Sequence, residues 1–283
     1  MTTSENTKQN NNTVLVTAAS GKTGRRVAER LAAQGVDVRA GSRKGEVRFD
    51  WEDEGSWGPA LAGADAAYVT YYPDLAAPGA VEAMRTFGRT AREKGVTRLV
   101  LLSGRGEPEA VEAESALREA WGSPAGMTVV RAAFFAQNFS EGAMGEGVAA
   151  GEIAFPAGDK AEPWVDADDL ADVVVATLTE PGHGGEVYDV TGPRLLTFAE
   201  VAAEIGRAAG REVRYAPVTV EQYASALQGF GLPEAEAHWL ANLFGTLLDG
   251  HNATTTDGVR RVLGREARDF RTFAEEVWAG AGS

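Results

Sequence analysis

The chain reads as an α/β protein built on a doubly wound parallel sheet, with a smaller, mostly helical lobe in its second half. Three observations carry that reading. Short β-branched apolar runs alternate with amphipathic stretches from Val14 onward, and this alternation produces right-handed crossovers and a parallel sheet covered on both faces. The first apolar run passes at once through a glycine-bearing turn, Ala18 to Gly24, into a helical stretch. The composition (283 residues, 44% hydrophobic, 24% charged) is that of a globular chain, long enough for one large body or a body with an appended lobe.

The elements follow in order. Residues 1–12 are polar, lack the apolar stretch of a signal peptide and read as a disordered tail. TVLVTA (Thr13 to Ala18) suits a strand buried on both faces. Arg25 to Gln34 places Val27, Leu31 and Ala32 at helical spacing, and Gly35 stops it. Strands are expected at Val36–Ala40, Val47–Trp51 and, after a short helix at Pro59–Ala62, Ala64–Thr70. A helix over Val81–Lys94, closed by Gly95, leads to a fifth strand at Arg98–Ser103. A helix over Glu107–Ala120 leads past Gly122 to a sixth at Met127–Ala132.

Beyond Phe134 the pattern loosens. Asp166 caps a helix ending at Thr179, VYDV (Val187 to Val190) is a strand, and Thr197 with Glu200 forms a capping box for a helix over Phe198–Ala209. Val213–Ala216, helical stretches around Val220–Leu227 and Glu234–Leu248, and Phe270–Ala279 complete the chain. We read residues 13–133 as a core and 134–283 as a lobe interleaved with it, lacking an independent second core.

Charge and composition remove several functions. With 27 basic and 41 acidic residues the net charge is −14, which argues against nucleic acid or an anionic membrane as partner. No window approaches the ~18 apolar residues of a membrane span, and a cytoplasmic protein is expected. The absence of cysteine excludes disulfides, thiolate metal sites and cysteine nucleophiles. No H-x-x-x-H, H-E-x-x-H or G-x-S-x-G occurs, so neither a metal site nor a hydrolase elbow is expected. The acids of Asp166–Asp169 read as helix caps, His183 as a solvated turn residue, and His238 and His251 as structural residues or pocket lining of the lobe.

The sharpest local signal is strand, then AASGKTG (Ala18 to Gly24), then helix. Such a turn aims backbone N–H groups and a positive helix end at a pyrophosphate, and close approach requires residues without bulk. Gly21 and Gly24 stand three apart as a G-x-x-G-x-x-G loop demands, with Ala18 where its first glycine would be. Ser20, Gly21, Lys22, Thr23 and Gly24 are therefore candidate dinucleotide contacts, making the core a Rossmann-type unit; a plain turn in a Gly-rich chain is the alternative. At the end of the second strand, where an NAD site places an acid for the ribose, Gly41-Ser42-Arg43-Lys44 stands instead. A hydroxyl and a guanidinium suit a 2′-phosphate, so Ser42 and Arg43 point to NADP(H), with Lys22 able to reach the same phosphate. A solvated basic turn is the alternative.

With these residues placed, the chain resembles the NmrA-like branch of the atypical short-chain dehydrogenases, which includes NAD(P)H-dependent quinone-type reductases and non-enzymatic NADP sensors. The resemblance is carried by VLVTAASGKTGRRV, VRAGSRK, RLVLLSG, VVRAAFFAQNF, WVDADDLADVV, VYDVTGP and LTFAEVAAEIG, in that order. The chain departs from the branch at Ala18 and at Ala132, where proline often follows the arginine. The resemblance implies that Asp50 and Trp51 lie near the adenine. It puts Thr70 and Tyr71 along the ribose and nicotinamide, and Ser103 facing the nicotinamide. Loop packing for Tyr71 and a strand-end cap for Ser103 are the alternatives.

The chemistry has a gap. Short-chain dehydrogenases generally use Tyr-x-x-x-Lys for proton transfer. The residues four before the lysines here are Ser4, Ala18, Ala40, Thr90 and Pro156. A reductase without that pair needs mainly to hold an acceptor against the nicotinamide, with the developing oxyanion met by a Ser103 or Tyr71 hydroxyl or protonated by water. Phe134, Phe135, Asn138 and Trp239, with Phe244, are the expected pocket for a small, planar or aromatic substrate; a core aromatic pair beside a capping Asn138 is the alternative. Two functions follow: an NADPH-dependent reductase of a conjugated carbonyl or quinone-like acceptor, or an NADP(H)-sensing regulator without turnover.

Overall fold

In the computed structural model, which describes residues 12–279, the strands in chain order are β1 (Thr13–Val16), β2 (Asp37–Ser42), β3 (Val47–Arg48), β4 (Ala66–Val69), β5 (Arg98–Gly104), β6 (Met127–Ala132), β7 (Glu152–Phe155), β8 (Ala161–Glu162), β9 (Val187–Val190), β10 (Leu196–Thr197) and β11 (Arg214–Pro217). The helices are α1 (Lys22–Ala33), α2 (Trp57–Leu61), α3 (Ala80–Glu93), α4 (Pro108–Trp121), α5 (Ala143–Ala150), α6 (Ala167–Thr179), α7 (Phe198–Ala209), α8 (Val220–Gly229), α9 (Glu234–Leu247), α10 (Gly258–Leu263) and α11 (Phe270–Trp278). The tail expected over residues 1–12 lies, Asn12 apart, outside the described residues.

Seven strands pair in parallel in the order β3-β2-β1-β4-β5-β6-β9. Neighbouring residues of a strand point to opposite faces, and the apolar runs supply both. Leu15, Ala67, Leu99 and Leu101 face Met84, Phe87, Leu117 and Trp121 of α3 and α4. Val14, Val16, Tyr68 and Val100 face Val27, Leu31, Leu170 and Val174 of α1 and α6. Each fully buried leucine or phenylalanine contributes roughly 2 kcal/mol of apolar transfer. The strand order reverses between β1 and β4, which opens a crevice beyond the carboxyl ends of the strands, the usual ligand position in such sheets.

Three features differ from the sequence expectation. α1 begins at Lys22, three residues early, because Gly21 serves as its N-cap and the glycine loop runs straight into it. β3 keeps only two residues. Phe49 and Trp51 leave the sheet edge to pack with Trp57 and Phe87, while the Trp57 and Trp51 indoles donate to the carbonyls of Asp50 (2.7 Å) and Thr70 (2.8 Å). The second half also builds its own aromatic core, contrary to expectation: Phe139, Phe155, Trp164, Phe198 and Phe270 converge in one cluster. Two small sheets, β8–β10 and β7–β11, frame it. These rings are far apart in sequence, so no local pattern announces the cluster. The same half sends α6 and β9 back to the main sheet.

The expected caps are present: Asp166 Oδ1 accepts from the Asp168 N–H, and Thr197 with Glu200 completes its box. His183 is not a loose surface residue, for its Nδ1 lies 2.9 Å from the Tyr188 hydroxyl. Among the described residues no helix is long and apolar enough to cross a membrane.

Candidate active site

The crevice begins at the β1–α1 turn. The Ala18 carbonyl accepts from the Gly21 N–H (2.8 Å), and Gly24 presses on the same oxygen: a Cβ added there would stand 2.3 Å from it. Only a glycine fits that approach. α1 then opens with no side-chain cap and no acid in its first turn, leaving its N–H groups and positive end for an anion. Gly21, Lys22 and Thr23 border a cavity of about 360 Å³ that continues over the strand ends. The loop therefore has the space and donors that a dinucleotide pyrophosphate needs. Ala18 itself sits at φ 47°, the left-handed region that an L-residue enters at a cost of roughly 1–2 kcal/mol.

Most residues singled out in the sequence meet at this cavity. Thr70, Tyr71, Ser103, Phe134, Phe135 and Asn138 line it together with the loop. Thr70 is fixed by the Thr17 hydroxyl, which accepts from its N–H (2.8 Å), and the Thr23 hydroxyl accepts from Tyr68 (3.1 Å). Tyr71 packs on Trp51 (ring centroids 5.0 Å apart). Burial, and then the Glu52 carboxylate, push its pKa up. Ser103 is only 4% exposed, and its hydroxyl donates to Glu114 (2.6 Å). Glu114 also accepts both ends of the Arg131 guanidinium (2.9 and 2.7 Å), so Ser103 belongs to a buried ionic network.

Others stand apart. Ser20 and Arg43 are exposed, Ser42 and Asp50 half-buried, and none lines the cavity; Ser42 ends β2 and Arg43 follows it, on the side of β1 away from β4. Asp37, at the opposite end of β2, accepts from the Thr13 hydroxyl (3.0 Å). Lys22 does not reach toward Arg43. Its ammonium donates to the side-chain amide oxygen (Oδ1) of Asn138, in the segment after β6, on the other side of β1. Burial pulls its pKa down to about 8, partly opposed by Glu141 and reinforced by Arg26 and Arg25. Those two arginines clasp Glu141 at 2.9 and 2.7 Å, which holds the start of α1 against this segment. Trp239 does not line the cavity. α9 presents Leu240, Leu243, Phe244 and Leu247 to it, a stripe with helical spacing from which Trp239 is one residue out of register. Phe244 meets Phe134 (5.9 Å between centroids).

Three cavity carboxyls escaped the sequence reading: Asp74, Glu107 and Glu162. Burial first, then the facing Asp74 carboxylate, push the pKa of Glu107 up to about 9. Burial pushes that of Glu162 up to about 7, with Arg105 and His251 opposing. Asp74 and Glu107 follow strand ends, a position that could have marked them; Glu162 sits in a two-residue strand with no such signal.

An NmrA-like family model matches residues 110–275. An NAD(P)H azoreductase of Xenophilus azovorans is 34% identical over 262 residues, which are 90% of this chain and 87% of the relative. The triphenylmethane reductase of Citrobacter sp., solved with NADP(H), superposes with a TM-score of 0.72 at 21% identity, covering 94% of this chain and 99% of its own. NmrA, a negative transcriptional regulator solved with NAD, gives 0.71 at 19% identity, covering 95% and 96%. The glycine loop, the parallel sheet and a matched model spanning more than half of the sequence agree: the chain belongs to the NmrA-like family.

Proposed function

We propose that the protein is an NADPH-dependent oxidoreductase that passes hydride to a small, planar, conjugated acceptor of the quinone or enone type. One observation carries the reading: the uncapped start of α1 opens into the same cavity as the aromatic and leucine wall of Phe134, Phe244 and α9. A dinucleotide held at the first reaches the second. The azoreductase relative, 34% identical, supports the same class of reaction. Residues 13–133 would then hold the cofactor and 134–283 cover the acceptor.

Bound NADPH supplies the hydride. The chain's own part is positioning. The α1 N–H groups meet the pyrophosphate, the Lys22 ammonium adds its positive charge from its place against Asn138, and Ser42 with Arg43 meets the 2′-phosphate. Asp50, Trp51 and Thr70 border the adenine and ribose, while Phe134, Phe135 and Asn138 shape the acceptor space. Holding two reactants in this way supplies much of the rate in such transfers. Ser103 is bound to Glu114, so of the two candidate hydroxyls the Tyr71 phenol, kept protonated by burial, is the one left to give a proton to the reduced acceptor.

Steady oxidation of NADPH with members of a quinone and enone panel is the expected result. Tryptophan fluorescence should show NADPH binding at least tenfold tighter than NADH, with Arg43→Ala removing most of the difference. Equal affinities in the parent protein refute the 2′-phosphate assignment. The missing Tyr-x-x-x-Lys favours a second reading, a sensor that binds NADP(H) without turnover. Tight binding with no oxidation across the panel would establish that reading instead.

A further inference from the structure

The cavity that would hold the acceptor is not purely apolar, and its charges are unevenly matched. Its two cations are already engaged. Lys22 donates to Asn138. Arg105 donates to the Asn252 carbonyl (2.7 Å) and the Thr254 hydroxyl (2.5 Å), and lies 3.9 Å from Asp189. Two of its carboxyls are less well met, Glu107 having a second acid, Asp74, as its side-chain hydrogen-bond partner. Glu162 is 1% exposed and Glu107 6%, and each keeps a buried oxygen (Oε1 of Glu162, Oε2 of Glu107) that no donor among the described residues reaches. The Glu107 carboxyl lies flat over Gly104, where an added Cβ would come within 2.2 Å of it. A glycine at the end of β5 thus makes room for an acid at the cavity wall.

Burying a carboxyl without a donor costs free energy. A donor arriving with the ligand would recover it. We propose that the carboxyl-bearing wall of the cavity receives a cationic nitrogen of the substrate, an ammonium or a protonated nitrogen heterocycle attached to the planar body, with the Glu107 and Glu162 carboxyls as its acceptors. The inference rests on the cavity being the acceptor site and adds the charge that the acceptor carries there. Neighbouring groups are consistent with it. Asp74, Glu109 and Glu114 face Glu107, all of one sign. Glu162 has Arg105 and His251 nearby as opposite charges and Asp249 as a like one, and His251 is itself held by Asp249 (2.5 Å) and the Gly106 carbonyl (3.1 Å). Because burial keeps both carboxyls partly or wholly protonated near neutral pH, a cation that binds them must displace protons.

The test uses the full chain and a matched pair of ligands that cannot be reduced by hydride. These are 2-(aminomethyl)naphthalene, an ammonium at pH 7, and 2-naphthalenemethanol, neutral and of nearly the same shape. Calorimetric titration, with and without NADP⁺, should give at least tenfold tighter binding for the amine. Its apparent enthalpy should change with the ionisation enthalpy of the buffer, which reports proton release. Glu162→Gln and Glu107→Gln should each cut the preference at least threefold, and the double variant should abolish it. Equal affinity for amine and alcohol, binding of neither, or a preference that survives in the double variant overturns the proposal. NADPH oxidation with a neutral quinone is scored separately. The amine preference can therefore fail while the reductase reading stands, or hold while turnover is absent.

Discussion

Replacing Ala18 by glycine should stabilise the protein, although it removes a methyl group from a partly buried loop. Ala18 stands at φ 47° and cannot relax. Its carbonyl accepts from Gly21 and is wedged beneath Gly24, and the following N–H, of Ala19, donates to the Gly41 carbonyl (2.9 Å). The left-handed conformation costs alanine roughly 1–2 kcal/mol. Glycine escapes that cost but gives back about 0.4–1 kcal/mol through its freer unfolded chain. The balance is a gain of about 1 kcal/mol, or some 2 °C in Tm for a chain of this size. Urea denaturation without cofactor measures it directly, and Ala18→Val supplies the opposite control, since a β-branched residue at positive φ is more strained still. An unchanged or lowered midpoint for Ala18→Gly would show that the loop stores no strain.

Three further outcomes are expected. Glu114→Ala leaves the half-buried Arg131 guanidinium and the buried Ser103 hydroxyl without their acceptor, and should cost about 2 kcal/mol in denaturant unfolding, against about 1 kcal/mol for Ser103→Ala. Glu107 and Glu162 hold protons more tightly folded than unfolded, so the stability they contribute is complete below the ordinary carboxylate range. It is lost as pH rises to about 7 for Glu162 and about 9 for Glu107. The Glu→Gln variants should therefore unfold at higher denaturant than the parent at pH 8.5, with the advantage vanishing near pH 4.5. Lys22 loses its ammonium charge above about pH 8, so parental NADPH affinity should fall between pH 8 and 9.5, whereas Lys22→Met should bind roughly tenfold more weakly at pH 7 and show no such fall in a fluorescence titration.

Much of the first half was legible because its signals are local. Buried parallel strands are continuous apolar runs, helices end on glycines such as Gly35, Gly95 and Gly122, and the phosphate turn is contiguous from Ala18 to Gly24. The lining of the cavity was legible where a residue stands at a strand end, as Thr70 and Ser103 do. It was not legible where a direction in space decided the matter. Lys22 could be placed on the loop, but only the fold shows its ammonium turned to Asn138 and away from Arg43. Trp239 looked like pocket lining by composition, yet one residue of helical phase removes it from the stripe that Leu240 and Phe244 occupy.

By itself the sequence determined the class of fold, the position of the glycine loop, the basic turn after the second strand, and the absence of Tyr-x-x-x-Lys and of any cysteine chemistry. These depend on spacing within a few residues, which the chain carries whether folded or not. The tertiary structure alone decided that Ser103 belongs to the Glu114–Arg131 network. It also showed that the second half has an aromatic core of its own, and that Glu107 and Glu162 meet in one cavity although 55 positions separate them. Burial, desolvation and the approach of distant side chains are properties of the packed chain, and they set which groups are left without partners for a ligand.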